Sequence, residues 1–394
     1  MEIQQKSPDL RFDGFTEDWW PTELGNLIQI TSASRVHKNE WTKSGVPFFR
    51  SSDVVAEYKG KQNTLAFISY KLFQELSSGS GSPKQNDLLV TGGGSIGIPY
   101  LVKDNRPLYF KDADLLWLKN SPKIDAYFLY NFFSTEIFKK YVKSITHIGT
   151  ISHYTVEQAK STPINVPKIA EQIRIGDFLR NTDELIADHQ TQLTKLKNLK
   201  KAMVVKMFPQ KGASVPEIRF KGFDGDWTFN AFEDVFNYHR PDPYIVNSTD
   251  YSNNYRTPVL TANKGFVLGY TSETDTFNKE SIIFDDFTLD SKYVDFPFMV
   301  KSSALKILTI NEVKRFDLYF SFLLLKNAKI EVLGHARHYI AVVQPTKVFI
   351  PKIDEQKKIS KYFKNLEGLI ENHQEQLKKL NNIKKACLSK LFVA

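Results

Sequence analysis

The sequence predicts a mixed α/β protein: two globular α+β blocks separated by two long helices that pack as an antiparallel coiled coil, written as a pseudo-twofold internal repeat. Three observations predict it. Residues 167–208, beginning "PKIAEQIRIGDFL", align without a gap on residues 351–392, beginning "PKIDEQKKISKYF". Short matched stretches precede both copies, "PDLRFDGFTEDW" from Pro8 and "PEIRFKGFDGDW" from Pro216. Between them lie dissimilar stretches of short β-rich runs, turns and aromatic residues. An internal repeat of this kind organises the whole chain.

In chain order, the first block covers residues 1–166. It keeps Arg11, Phe12, Gly14, Phe15 and Trp19 in common with Arg219, Phe220, Gly222, Phe223 and Trp227 of the second block. Its middle, "TKSGVPFFRSSDV" and "NDLLVTGGGSIGIPYLVKD", reads as strands and turns, and "DAYFLYNFF" from Asp125 as an amphipathic helix. The second block, residues 211–350, repeats that helix as "DLYFSFLLL" from Asp317, and "HYT" at His153 as "HYI" at His338. Its own middle, "YSNNYRTPVLTANKGFVLGYTSE" and "SIIFDDFTLDSKYV", has no evident counterpart in the first, so two dissimilar things are expected to be recognised.

The helices occupy 167–210 and 351–394. The repeated stretches 167–208 and 351–392 have no internal proline, and each opens on Pro and acidic residues and closes on a Lys-rich turn, as the helix dipole favours. Ile175, Leu179, Ile186, His189, Leu193, Leu196 and Met203 fall on a heptad seam, with Thr182, Lys200 and Met207. In the second copy the seam reads Ile359, Phe363, Ile370, His373, Leu377, Leu380 and Leu391, with Leu366, Lys384 and Cys387. A helix of this length spans roughly 60 Å and cannot bury one apolar stripe alone, so the other copy is its expected partner. The histidines and lysines read as seam residues that fix register or as partly exposed flanks.

At 394 residues, with 41% apolar and 25% charged side chains, the chain has the balance of a globular protein of about two domains. The single Cys387 excludes an internal disulfide and a Cys-based zinc cluster. No basic leader followed by an apolar run and no apolar stretch of membrane length stand out, so a cytoplasmic setting is expected, with no membrane partner. The net charge of +9 invites nucleic acid. Yet the two helices, with about 18 Lys and Arg against about 10 Asp and Glu, carry nearly all of that excess.

Catalytic readings are weak throughout. The glycines of "VTGGGSIGIP" (Gly92, Gly93, Gly94, Gly97) are followed by a strand-like segment where a cofactor loop should open a helix. "RPDPYIV" at Arg240 lacks the second proline of an amino-methyltransferase motif, and no phosphate-binding G-x-x-x-x-G-K-[ST] occurs. Asp53, Glu57 and Lys59 evoke a nuclease set only loosely. His335 and His338 lack a third ligand, so no metal is expected.

The two helical segments, "PKIAEQIRIGDFL…LIADHQTQLTKLKNLKKAMVVKMF" and "PKIDEQKKISKYF…LIENHQEQLKKLNNIKKACLSKLF", in the order block, helix, block, helix, resemble the specificity subunit of type I restriction-modification systems. The resemblance spans essentially the whole chain, and "NDLLVTGGGSIG" also resembles a turn of that family's target recognition domains. It implies a non-catalytic reader of double-stranded DNA. Each recognition domain would read one half of a bipartite asymmetric site, and the helices would set the gap and dock two modification subunits. Those partners would methylate adenine with S-adenosylmethionine, no cofactor being expected in this chain, and restriction subunits can join the assembly. The missing Gly-rich turn in the second block points to two different recognition subclasses. The rivals are a self-contained DNA methyltransferase or nuclease, and a scaffold without DNA specificity.

Base readout calls for Arg, Asn, Gln, Ser or Thr on loops, with cations nearby for phosphates. In the first block the candidates are Arg35, His37, Lys38, Arg50, Ser51, Ser95, His147, Thr150, Ser152, His153 and Tyr154. In the second they are His239, Arg240, Tyr244, Asn253, Asn254, Tyr255, Arg256, Asn263, Lys264, His335, Arg337, His338 and Tyr339.

Overall fold

A computed structural model describes residues 7–112, 114–145, 153–210, 212–262, 265–328, 330 and 338–393. The chain forms two compact units, residues 1–190 with 375–394 and residues 191–374. Each long helix, Ile169–Lys206 and Ile353–Lys390, is therefore shared between the units.

In the first unit, the start of the central helix and the end of the C-terminal helix enter one core. Ile175 and Leu179 are buried there with Cys387, Leu391 and Phe392, so the two helices run antiparallel. The second unit is built the same way from the opposite ends, with Met207 and Phe208 buried beside Ile359 and Phe363. Every seam position is buried or half-buried, as a two-helix heptad requires. The seam lysines are paired across the coil. Lys384 lies 2.5 Å from Asp183, and Lys200 contacts Glu367.

The "EQ" shared by both repeats has a structural cause. In the first unit Glu171 is buried and accepts both arms of Arg11, at 2.8 Å each. In the second Glu355 does the same for Arg219, at 2.9 and 2.7 Å. Such two-pronged pairs are the strong kind of ion pair. Gln172 accepts the backbone N–H of Asp125 at 3.0 Å, and Gln356 that of Asp317 at 2.9 Å. Each aspartate in turn caps its helix, Ala126–Phe132 or Leu318–Asn327, by accepting an N–H at 2.8 Å. Gly176 leaves room for this, since a Cβ there would stand 2.3 Å from an Asp125 oxygen; at the matching place Ser360 donates to Asp317 instead.

Aromatic packing repeats as well. Phe392 stacks on Phe128 (4.9 Å between centroids), which also meets Trp19. Phe208 stacks on Phe320 (5.4 Å), which meets Trp227. A short antiparallel pair closes each block onto its helix, Trp20–Glu23 with Pro163–Val166 and Thr228–Ala231 with Lys347–Ile350.

The middles of the blocks overturn a sequence expectation. The first contains an antiparallel sheet in the order Gln29–Thr31, Leu115–Lys119, Leu88–Thr91, Pro99–Leu101. The second contains the same order, Phe236–His239, Leu305–Ile310, Ser281–Asp285, Ser291–Val294. A second sheet repeats too. Val46–Phe49 pairs antiparallel with Ala66–Ile68 and parallel with Tyr109–Phe110, as Thr257–Leu260 does with Val267–Thr271 and Met299–Val300. Thus "SIIFDDFTLDSKYV" is the counterpart of "NDLLVTGGGSIGIPYLVKD", hidden because buried strands need only apolar residues in place, not the same ones. The real difference is local. Between Phe49 and Ala66 the first block inserts the helix Ser51–Tyr58, and after Ile68 the helix Tyr70–Ser80, whereas the shorter stretches 261–266 and 272–280 link the matching strands of the second.

Candidate nucleic-acid interface

Residues proposed as readers gather around one hairpin tip in the first unit. The strands Leu88–Thr91 and Pro99–Leu101 are joined by the Gly-rich turn, in which Gly94 and Gly97 have φ of 70° and 78°. A Cβ on Gly97 would also strike the buried Phe138 ring at 2.4 Å, so only glycine fits there. The Asp114 carbonyl accepts Gly92 N–H at 2.8 Å and the Ser51 hydroxyl at 2.9 Å. Tyr154 N–H donates to the Gly92 carbonyl at 2.7 Å, which places the exposed His153 beside the turn; a Cβ on Gly93 would lie 3.5 Å from its ring nitrogen. Ser51, Ser95 and His153 thus come together with exposed backbone at Gly94.

The second unit has the same hydrogen-bond plan with other residues. Asp286 takes the place of Gly92: its N–H donates to the Ala304 carbonyl, and its carbonyl accepts the His338 N–H at 3.3 Å. Its carboxylate adds what glycine cannot. It accepts the N–H groups of His338 and Tyr339 at 2.9 and 2.7 Å and meets Lys306 at 3.2 Å, in a pair with side chains 2% and 5% exposed.

Three proposed readers are core residues, and the expectation is corrected for them. Tyr154 is 1% exposed with its hydroxyl on Thr162, and His338 and Tyr339 are fully buried. The repeated His-Tyr pair docks the chain on the sheet through both tyrosines and His338, whose rings face inward, while His153 stays exposed. Arg50 is also committed: it clasps Asp53 at 2.8 and 2.9 Å and donates to the Thr64 carbonyl at 2.7 Å. With Asp53 so used and Glu57 paired to Lys103, the loose nuclease set is dispersed. The Gly-rich turn runs into a strand, which gives a cofactor phosphate no helix to rest on.

The remaining candidates divide by exposure. Arg35, His37, Lys38, Arg240, Asn253, Asn254 and Arg256 are exposed. Tyr244 is half-buried against Phe277, and Tyr255 is tied to Asp250 at 3.0 Å. His239 lies 2.8 Å from the Thr309 hydroxyl, and burial lowers its pKa. His147, Thr150, Ser152, Asn263, Lys264, His335 and Arg337 lie outside the described residues. Sequence reasoning missed Phe287 and Thr288, exposed at the tip equivalent to the Gly-rich turn. Only the sheet register reveals that equivalence. Among the described residues no group of three His, Cys, Asp or Glu could hold a metal, and no helix is long and apolar enough to cross a membrane.

Residues 16–198 and 224–382 match the family model of the type I restriction modification DNA specificity domain. A type I restriction enzyme specificity subunit of Escherichia coli is 38% identical over 143 residues, 35% of this chain and 35% of that protein. That alignment thus spans about a third of the curated relative's length. A protein of Methanocaldococcus jannaschii, provisionally named a type I restriction enzyme specificity subunit, is 22% identical over 95% of this chain and 93% of its own. The crystal structure of the type I restriction-modification S subunit from M. genitalium shares the fold, with a TM-score of 0.69 at 16% identity over 98% of this chain and 99% of that one.

Proposed function

The chain belongs to the type I restriction-modification DNA specificity family, and from that premise we propose that it is the sequence-reading subunit of such a complex, without catalysis of its own. Each unit reads one half of a bipartite, asymmetric site in duplex DNA, and the two helices that join the units set the gap. The observation that carries this is one scaffold built twice with unlike hairpin tips: the sheet order, the Arg–Glu clasp and the Gln-held cap repeat, and the exposed tip chemistry does not.

Two modification subunits, which bring S-adenosylmethionine, dock on the coil, and restriction subunits can join them. Exposed apolar residues at matching places of the repeat support a duplicated docking surface. The first unit presents Leu185 and Ile383, the second Leu369 and Leu199, each about half exposed. Leu185→Lys with Leu369→Lys is expected to abolish co-purification with the modification subunit while leaving the melting temperature unchanged. Co-purification at wild-type yield would remove this surface from the proposal.

The functional test is methylation-sensitive sequencing of DNA exposed to the chain with its cognate modification subunit and to each alone. A split motif with unlike halves, methylated only by the pair, is the expected result. Methylation by this chain alone would instead revive the self-contained methyltransferase.

A further inference from the structure

The hairpin of Ser281–Asp285 and Ser291–Val294 ends in a turn whose backbone is held at nearly every residue. Leu289 N–H donates to the Asp285 carbonyl at 3.0 Å, and the Asp285 carboxylate accepts Phe287 N–H at 3.1 Å and the Thr288 hydroxyl. Asp286 is fixed from below by Lys306 and the His338 and Tyr339 amides. Leu289 has φ of 60°, a costly value for a non-glycine residue, which this bonding sustains. Out of this rigid tip stands Phe287, 48% exposed. Its place in the fold is that of Gly93 and Gly94 in the other unit, so the shared architecture does not require a large ring there.

A two-stranded ribbon fits the major groove, where the one apolar feature that distinguishes bases is the thymine 5-methyl group. The negative charge of the turn is compensated: Asp286 meets Lys306, Asp290 meets Lys292 at 3.2 Å, and Asp285 is buried under its hydrogen bonds. We propose that Phe287 is a specificity residue of the second unit, reading a pyrimidine 5-methyl group in its half-site. The Gly-rich tip of the first unit, with Ser95 and bare backbone, reads its half through hydrogen bonds. This inference rests on the DNA-reading function proposed above.

The test uses the chain assembled with its modification subunits and duplexes carrying the methylated motif sequence, in which each thymine is replaced in turn by deoxyuridine. That change deletes only the methyl group. One position in one half should weaken wild-type binding about fourfold, the worth of a buried methyl group. Phe287→Ala should bind the thymine duplex about as weakly and lose discrimination at that position alone, with its melting temperature unchanged. Wild-type indifference to every replacement, a half-site without thymine, or undiminished discrimination by Phe287→Ala would overturn the assignment while leaving the bipartite reading intact. Weakened assembly with the modification subunits would mean that Phe287 faces protein instead. Absence of any preferred site in the wild-type complex would sink the functional reading and this inference with it.

Discussion

The two hairpin tips, Gly92–Ile98 in the first unit and Asp286–Asp290 in the second, do the same structural job by opposite means. One relies on glycine, whose φ freedom and lack of a side chain let the turn lie against Phe138. The other relies on carboxylates that fold the turn around themselves and tie it to a buried lysine. The difference teaches that the fold constrains where a tip sits and leaves its chemistry free. The parts that place each block on the coil, by contrast, are nearly copied.

The largest expected effect tests that copying. Phe392→Ala and Phe208→Ala each remove a buried stacked ring, and each should cost about 3–5 kcal/mol in urea unfolding of the full chain. Similar losses would support equivalent anchors. A loss under roughly 1 kcal/mol at one of them would break the symmetry.

A smaller effect should separate the tips. Gly97→Ala puts a Cβ into Phe138 at positive φ and should destabilise by about 1–3 kcal/mol. Phe287→Ala, on the exposed side of the matching turn, should stay within about 0.5 kcal/mol. Equal effects in thermal melts would mean that the two turns are not built as described.

A smaller effect again concerns the links between block and coil. The Tyr127 hydroxyl donates to Asp183 at 2.7 Å and Tyr319 donates to Glu367, while Lys384 and Lys200 pair with the same acids. Burial first and the neighbouring carboxylate second push both phenols well above their ordinary pKa, so they donate throughout the neutral range. Tyr127→Phe and Tyr319→Phe should each cost about 1–2 kcal/mol, because the acid keeps its lysine. Unchanged urea midpoints would show that these bonds fix nothing.

Much of this architecture is legible in the sequence where its cause is periodic. The heptads, the opening prolines with their acidic first turns and the Lys-rich closing turns are local signals, and they place Ile169–Lys206 and Ile353–Lys390 closely. The roles of Glu171 and Gln172 are not legible, although both stand out as repeated. Their partners, Arg11 and Asp125, lie far off in the chain. The likeness of the two blocks is hidden for a different reason: buried strands such as Leu88–Thr91 and Ser281–Asp285 share a place in a sheet and no residue pattern. His153–Tyr154 and His338–Tyr339 mislead because polar aromatic pairs suit a DNA surface and a buried dock equally well. Only the first histidine is exposed.

The central claim is that two units on one scaffold read two independent half-sites. Its most direct measurement is to exchange residues about 20–150 for the same block of a relative with another site, and to map methylation by the assembled complex. One half of the motif should change to the donor's, with the other half and the gap unaltered. A change in both halves would contradict two independent readers, and a change in neither would show that the sequence is read elsewhere.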